Sequence, residues 1–230
     1  MNWRKPMLAV GLVIGLTSPL FLPALAFAQK TEQTTGVQGS KNIRSLKEIR
    51  GEGVVRQKWD VSCGAAALST VLTYDFKDPT PETAIVVWIL HRVDAGRVRA
   101  RGGFSLLDLK HFAEARGYHA EGFSGMSIED LALQKTSVIT PIRAKGVDHF
   151  VVVKNIVAGH VVMADPAFGN MTMRVDQFQK LWKNGIVFVV HPPDERMIVE
   201  KNLSIASRLV PDATVITRKI GVTAPSNFLY

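Results

Sequence analysis

Residues 57–74 read QKWDVSCGAAALSTVLTY, and this stretch decides the fold. From Cys63 onward alanine is frequent, and alanine is the strongest helix former. The apolar residues of this part recur at helical spacing, at Ala66, Leu68, Val71 and Leu72. The spacing predicts a helix over 63–74. Because the residues before Cys63 are mostly polar and show no strand pattern, Cys63 is expected at the N-terminus of that helix.

Around this helix, helical patterns dominate the first half of the folded part and β-branched runs dominate the second half. Further helices are predicted over 80–91, capped by Thr80, over 105–116, capped by Ser105 with Asp108, from 127 onward, and over 175–182. A glycine- and arginine-rich loop is predicted over 94–103. Strands are predicted over 119–123, 137–143, 149–157, 160–164 and 186–191. This order favours an α+β domain in which N-terminal helices pack on an antiparallel sheet.

The chain ends differ from this central part in composition. Arg4 and Lys5, the apolar run 7–16 and the small residues before Gln29 predict a secretory signal peptide over 1–28. A retained membrane anchor is disfavoured because Thr17-Ser18-Pro19 interrupts the apolar run. We expect a flexible lead-in over 29–50, a folded domain over 51–192 and a basic extension of unassigned role over 193–230. The signal predicts export, most simply to a periplasm, with no stable membrane span after cleavage.

Composition excludes several classes of protein. The 230 residues include 28 Lys+Arg, 20 Asp+Glu and a single cysteine. One cysteine forms no intramolecular disulfide and no cysteine-rich zinc cage, and we expect neither a metal nor an organic cofactor. The basic residues are scattered and lack interleaved aromatics, so no nucleic-acid partner is expected. The arginines at 92–101 are interpreted as a solvated loop, with an acidic-peptide or polyanion surface as the alternative.

Cys63 is the first candidate for chemistry. A helix N-terminus lowers a thiol pKa, because its free N–H groups and partial positive charge favour the thiolate. Gly64 is expected to leave room for a substrate backbone, and the Cys63 amide to donate to an oxyanion. A free cysteine is more often a small core residue. We favour the interpretation of Cys63 as a nucleophile, because a free thiol is a liability in an oxidising compartment and the residues around Cys63 do not form a core strand.

Three further residues supply partners for such a nucleophile. His149 opens the apolar run HFVVV, where a rigid strand edge can hold an imidazole as general base. Asp165 directly follows the next strand and precedes Pro166, so it is a candidate to orient the imidazole, with a turn-initiating role as the alternative. Gln57 lies shortly before Cys63, where its side-chain amide can reach an oxyanion. Of the other histidines, His160 is expected at a hairpin turn. His91, His111 and His119 are expected on or near helices, as surface or hydrogen-bonded histidines.

Together these motifs resemble a known family. The elements Gln57-x5-Cys63-Gly64, His149-Phe150-Val151-Val152 and Asp165-Pro166-x-x-Gly169 look like those of the bacteriocin-processing double-glycine cysteine peptidases of the papain-like superfamily. The resemblance covers about 51–192. It implies a papain-like fold, Cys63 as nucleophile, His149 as general base and acid, Asp165 as orienting partner and Gln57 in the oxyanion hole. Members of the family usually have an acidic residue immediately before the cysteine, whereas this chain has Ser62 at that position.

The predicted architecture also differs from that of most family members, which are fused to an exporting transporter. An exported, free-standing form is similar to the periplasmic peptidase-like component of functional-amyloid (Fap-type) secretion systems. The primary hypothesis is therefore a periplasmic thiol endopeptidase that cleaves an exported polypeptide after small, Gly-Gly-like residues. Outer-membrane secretion or amyloid-assembly components are candidate partners. Two alternatives stay open: a catalytically weak binding or escort module, and a papain-like amidase acting on cell-wall peptide.

Overall fold

A computed structural model describes residues 44–144 and 146–199 of the chain. The helices in this part are α1 (Leu46–Gly51), α2 (Cys63–Thr70), α3 (Glu82–Leu90), α4 (Ala95–Ala100), α5 (Leu106–Ala115), α6 (Ile128–Ala132) and α7 (Val175–Leu181). The strands are β1 (His119–Phe123), β2 (Val138–Ala144), β3 (Val147–Val157), β4 (His160–Asp165), β5 (Gly169–Arg174) and β6 (Val187–His191). The predicted signal peptide and residues 200–230 of the predicted basic extension lie outside the described residues.

The strands form one antiparallel sheet with the order β1-β6-β2-β3-β4-β5. Strand β3 therefore lies between β2 and β4, so the segment after His149 and the segment that ends at Asp165 are neighbours. The α+β class and the antiparallel sheet are as predicted. Within the described ranges, no helix combines the length and the apolar character that crossing a membrane requires.

Apolar side chains cover both faces of this sheet. Val152 belongs to the core shared with α2, α3 and α5, whereas its neighbours Val151 and Val153 belong to a second core with α6 and α7. Alternate residues of a strand point to opposite faces, so burial on both sides explains the apolar run at 150–153 within β3. The α2 helix packs directly on this strand. This contact brings the start of α2 to the strand that carries His149.

The helix predicted from Cys63 is confirmed, and it ends in a π-helical turn over Val71–Asp75. The helix starts at Ser105 and Ser127 are also confirmed, each with a capping box. The prediction for Thr80 was wrong, because Pro81 occupies the N-cap position of α3 and makes no side-chain cap. The carbonyl of Thr80 instead accepts a bond from the Ser69 hydroxyl.

Other elements also differ from the prediction. Helix α1 lies in the segment expected to be a flexible lead-in, and Ser45 and Glu48 form its capping box. Helix α4 lies in the segment expected to be a loop, where Asp94 caps it. Strand β5 was not predicted. Beyond residue 192, Met197 and Ile198 pack against the helical core, so this part of the predicted extension contacts the folded domain.

Candidate active site

The site begins at the first residue of α2, where Cys63 is 7% exposed. Ser62 shapes the turn that leads into it. Its hydroxyl donates to the Trp59 carbonyl oxygen at 2.7 Å and accepts the Trp59 N–H at 3.2 Å. Ser62 is buried and forms no side-chain cap on α2. The residue directly before the nucleophile candidate thus acts through turn geometry, and it adds no charge beside the thiol.

Gly64 has a different role from the one predicted. A Cβ atom at this position would lie 3.2 Å from Leu109 Cδ1 and 3.2 Å from Phe150 Cδ2. The space beside Gly64 is therefore filled by side chains of the domain itself and does not admit a substrate backbone. Glycine lets the start of α2 approach β3 closely, which sets the distance between Cys63 and the strand that carries His149.

His149 is the third residue of β3 and pairs with Ile142 of β2, so it lies inside the strand ladder, not at the strand edge as predicted. Its Nε2–H donates to Asp165 Oδ1 at 2.9 Å. That bond leaves Nδ1 as the ring nitrogen for a second partner. The imidazole is mostly buried, with 17% of its side-chain surface exposed.

Asp165 ends β4 and is 3% exposed. Its Oδ1 also accepts the N–H of Ala167 at 2.7 Å and that of Phe168 at 3.1 Å. The carboxylate thus initiates the turn after β4 and holds the imidazole as well. The two sequence interpretations of Asp165 were alternatives, and the structure shows both contacts in one residue.

The imidazole of His149 is the side chain that lowers the pKa of the Cys63 thiol most. Burial would raise the pKa of Cys63, but the bond to His149 and the N–H groups of Phe150 and Gly64 hold this pKa below its usual value. For His149, burial would lower the pKa, but the bonds to Asp165 and Cys63 raise it to about 9. Opposite shifts of this kind favour a thiolate and an imidazolium together.

This pairing predicts the alkylation behaviour of the protein. We expect iodoacetamide to label Cys63 rapidly at pH 6 to 7, where an ordinary thiol with a pKa of about 8.5 reacts slowly. Replacing His149 by alanine removes the imidazolium, so the midpoint of labelling should move to higher pH. Mass spectrometry of time points across pH 5 to 10 measures both profiles. Equal profiles for the two proteins would contradict the ion pair.

Gln57 lies beside this group of residues without a described contact to Cys63 itself. Its backbone N–H donates to the Pro166 carbonyl oxygen at 3.0 Å, directly after Asp165. Its side-chain Nε2 donates to the Trp59 carbonyl oxygen at 3.0 Å, which also accepts the N–H of Ser62. Gln57 therefore bridges the turn that holds Asp165 and the turn that leads into Cys63.

The side-chain amide of Gln57 has unused capacity. Its Oε1 is buried and has no hydrogen-bond partner. An amide nitrogen carries two hydrogens, and the bond to Trp59 uses one of them. One N–H of Gln57 therefore remains to donate to a ligand, as an oxyanion hole requires.

A cleft of about 440 Å³ opens beside Cys63. Apolar side chains form most of its wall: Phe104, Leu106, Leu107, Pro141, Phe150 and Ile186. Charged residues at the cleft are already paired, Arg101 with Asp108 and Lys183 with Asp148. An extended, uncharged peptide segment fits such a surface better than a charged one.

The comparisons with known proteins identify the family of this chain. The model of the Peptidase C39 family matches residues 52–195. The chain belongs to the Peptidase C39 family. The match begins after α1 and includes every element from α2 to β6. The family resemblance deduced from Gln57, Cys63, His149 and Asp165 is thereby confirmed, while the roles of these four residues remain predictions.

Two curated relatives of this C39 chain carry the name probable functional amyloid protease FapD. The protein from Pseudomonas aeruginosa is 37% identical over 150 residues, and the one from Pseudomonas fluorescens is 36% identical over 150 residues. Each alignment covers 65% of this chain and 65% of the relative. The chain thus spans just under two thirds of the length of these relatives.

A solved structure supports the fold of the C39 domain. The peptidase domain of Streptococcus ComA, a bifunctional ABC transporter, matches with a TM-score of 0.50 and 19% identity. The match covers 60% of this chain and 97% of that domain. At this identity the likeness shows the fold alone, and it confirms the papain-like α+β class.

Sequence reasoning missed two contributors to the site. The backbone N–H of Phe150 supports the thiolate, but a strand N–H carries no residue-type signal. Pro166 was noted only as the residue after Asp165, yet its carbonyl oxygen anchors Gln57. Both contacts join segments far apart in the chain, so only the fold reveals them.

Proposed function

We propose that this C39 protein is a cysteine endopeptidase that uses Cys63 as its nucleophile. The observation that carries the proposal is the bond from His149 to Asp165 beside the start of α2, where the His149 imidazole lowers the pKa of Cys63. A thiolate beside an imidazolium is the reactive state of a cysteine peptidase. The cleft beside Cys63 supplies a surface for the substrate.

In the proposed reaction, the Cys63 thiolate attacks the carbonyl carbon of the scissile peptide bond. The C=O electron pair moves to oxygen, and the oxyanion accepts the Cys63 N–H and the free N–H of Gln57. The His149 imidazolium gives its proton to the leaving nitrogen as the C–N bond breaks. Water, deprotonated by neutral His149, then attacks the thioester, and the Cys63 thiolate leaves.

Asp165 supports both halves of this cycle. Its Oδ1 holds the Nε2–H of His149, which presents Nδ1 to the thiol and stabilises the imidazolium. The N–H bonds from Ala167 and Phe168 fix the carboxylate in turn. Nε2 thus keeps its proton throughout the cycle, while Nδ1 gives its proton to the leaving nitrogen and takes one back from water.

The substrate proposal is an exported polypeptide that is cut after small, Gly-Gly-like residues. The buried thiol supports it, because a nucleophile of 7% exposure is approached most easily by a peptide without side chains at the scissile bond. Two relatives are named as probable functional amyloid proteases, which supports a substrate in a functional-amyloid secretion system. The predicted signal peptide supports a periplasmic location. Outer-membrane secretion or amyloid-assembly components are the proposed partners.

The test uses two peptides that differ only at the scissile site. Purified protein is incubated with a fluorogenic Gly-Gly peptide and with the same peptide in which Val-Val replaces Gly-Gly. We expect kcat/KM for the Gly-Gly peptide to be at least about tenfold higher, as expected when side chains obstruct a pocket. Equal rates would contradict the specificity. Tight binding of both peptides without cleavage would favour the binding or escort module.

A further inference from the structure

A buried carboxyl group outside the triad contacts the loop that carries Gln57. Glu82 is the first residue of α3 and is only 2% exposed. Its Oε1 and Oε2 accept the backbone N–H of Lys58 at 3.0 Å and 3.2 Å. Glutamate is rarely buried to this degree, and neither the proposed proton path nor the cleft wall uses this side chain.

Lys58 directly follows Gln57 in the chain, so the bond from Lys58 to Glu82 also restrains the backbone of Gln57. The Lys58 N–H belongs to the peptide plane that directly follows the Cα of Gln57. The plane that precedes this Cα is held by the bond from the Gln57 N–H to the Pro166 carbonyl oxygen at 3.0 Å. A backbone has two soft dihedral angles per residue. Bonds on both adjoining planes therefore restrict φ and ψ of Gln57, and with them the direction of its side chain.

Glu82 is also suited to this position in α3. The first turn of a helix has free N–H groups and a partial positive charge, which favour a carboxylate. This explains how the chain accommodates a buried carboxyl group at this point. A smaller side chain in the first turn would be equally compatible with the helix, but it would not reach the Lys58 N–H.

We propose that Glu82 is a positioning residue, which holds the Gln57 amide where the oxyanion forms. The inference rests on the proposed role of Gln57 in the peptidase reaction. Glu82 touches neither the substrate nor the thiol in this scheme. It acts through the Gln57–Lys58 peptide plane, and Pro166 holds the other side.

The proposal is tested by a double-mutant cycle of Glu82→Ala and Gln57→Ala, with a fluorogenic Gly-Gly peptide and with p-nitrophenyl acetate as acyl donors. We expect Glu82→Ala to lower kcat about tenfold or more with little change in KM, because displaced oxyanion donors act in the transition state. In the Gln57→Ala background the same change should have almost no effect. The rate of iodoacetamide alkylation should be unchanged, since alkylation forms no oxyanion. Glu82→Gln keeps an acceptor oxygen and should recover most of the activity.

Asp130→Ala is the matched control. Asp130 likewise accepts a loop N–H at the start of a helix, from Ser127, but that loop carries no candidate site residue. This variant should leave kcat unchanged. Additive effects of Glu82→Ala and Gln57→Ala, or a fall in alkylation that matches the fall in kcat, would overturn the proposal.

Failure of the positioning role can be distinguished from failure of the proposed peptidase function and from unfolding of a variant. A wild-type protein that acylates with neither donor refutes the peptidase proposal itself. Hydrogen exchange of the Lys58 amide in the wild-type protein needs neither a substrate nor a variant. We expect this amide to be strongly protected, and exchange at the rate of an open loop would overturn the positioning role. If Glu82→Ala fails to fold, the cycle is run with Glu82→Gln, for which a loss as large as that of Gln57→Ala counts against the proposal.

Discussion

Replacing Cys63 by alanine is expected to abolish peptide cleavage, with a fall in kcat of at least about 10⁴-fold. Removal of a covalent nucleophile leaves only binding and oxyanion stabilisation, and losses of this size or larger are typical of peptidases. No second thiol can take over the reaction, because the chain has a single cysteine. Steady-state assays with the Gly-Gly peptide measure the effect.

The fold should survive this change. Cys63 lies in an alanine-rich helix beside Gly64 and Ala65, and alanine has the highest helix propensity. Only the sulfur atom is lost, so circular dichroism and the thermal unfolding curve should stay close to those of the wild type. A Cys63→Ala protein that is folded and still cleaves the peptide would show that another group performs the reaction. Cys63→Ser is a second control, because it keeps a hydrogen-bonding group but provides a much weaker nucleophile.

Asp165→Ala is expected to lower kcat about 100-fold or more, whereas Asp165→Asn should be milder. Alanine removes the acceptor for the His149 Nε2–H and for the N–H groups of Ala167 and Phe168. All three donors bind Oδ1, and asparagine retains an oxygen at that position while it loses the charge. Comparison of the two variants therefore separates orientation of the imidazole from its electrostatic stabilisation.

Orientation of the imidazole and its electrostatic stabilisation by Asp165 differ in their effect on the pH dependence of activity. The reactive state needs the Cys63 thiolate and the His149 imidazolium, so activity should fall at low pH and again as pH rises through about 9, where His149 loses its proton. Burial lowers the pKa of His149, and the contact with Asp165 raises it. Without the Asp165 charge, the alkaline limb of Asp165→Asn should move to lower pH. An unshifted limb in the kcat/KM profile would contradict the electrostatic role of Asp165.

The triad candidates were predictable because each one carries a local signal. Cys63 opens an alanine-rich helix, His149 lies in an apolar strand, and Asp165 precedes a proline at a strand end. Their contacts follow from the order of strands, since β3 and β4 are joined by a tight turn and must be neighbours. The α+β class was predictable for the same reason, because the long helices and the apolar strands have clear periodicity.

The remaining elements depend on contacts that a local pattern does not contain. Helices α1 and α4 are too short for periodicity to distinguish them from loops. Strand β5 has Met171 and Met173 between polar residues, a brief alternation that becomes a strand through pairing with β4. The position of Gln57 depends on Glu82 and Pro166, whose bonds to the loop cross many residues of sequence. The residues that the fold brings together at Cys63 were thus more predictable than the scaffold that supports them.

Nucleophilic attack by Cys63 is tested most directly by observing the acyl-enzyme. Wild-type protein is mixed with an excess of the Gly-Gly peptide, quenched in acid during turnover and analysed by intact-mass and peptide-mapping mass spectrometry. We expect an adduct on Cys63 that is absent from Cys63→Ala. Its mass should be that of the N-terminal product less one water, because the thioester bond replaces the hydroxyl of the product carboxyl group. Slower deacylation at low pH should increase its population, because water attack needs neutral His149 as base. Continued peptide cleavage with no adduct on Cys63 at any quench time, or an adduct on a different residue, would show that Cys63 is not the nucleophile.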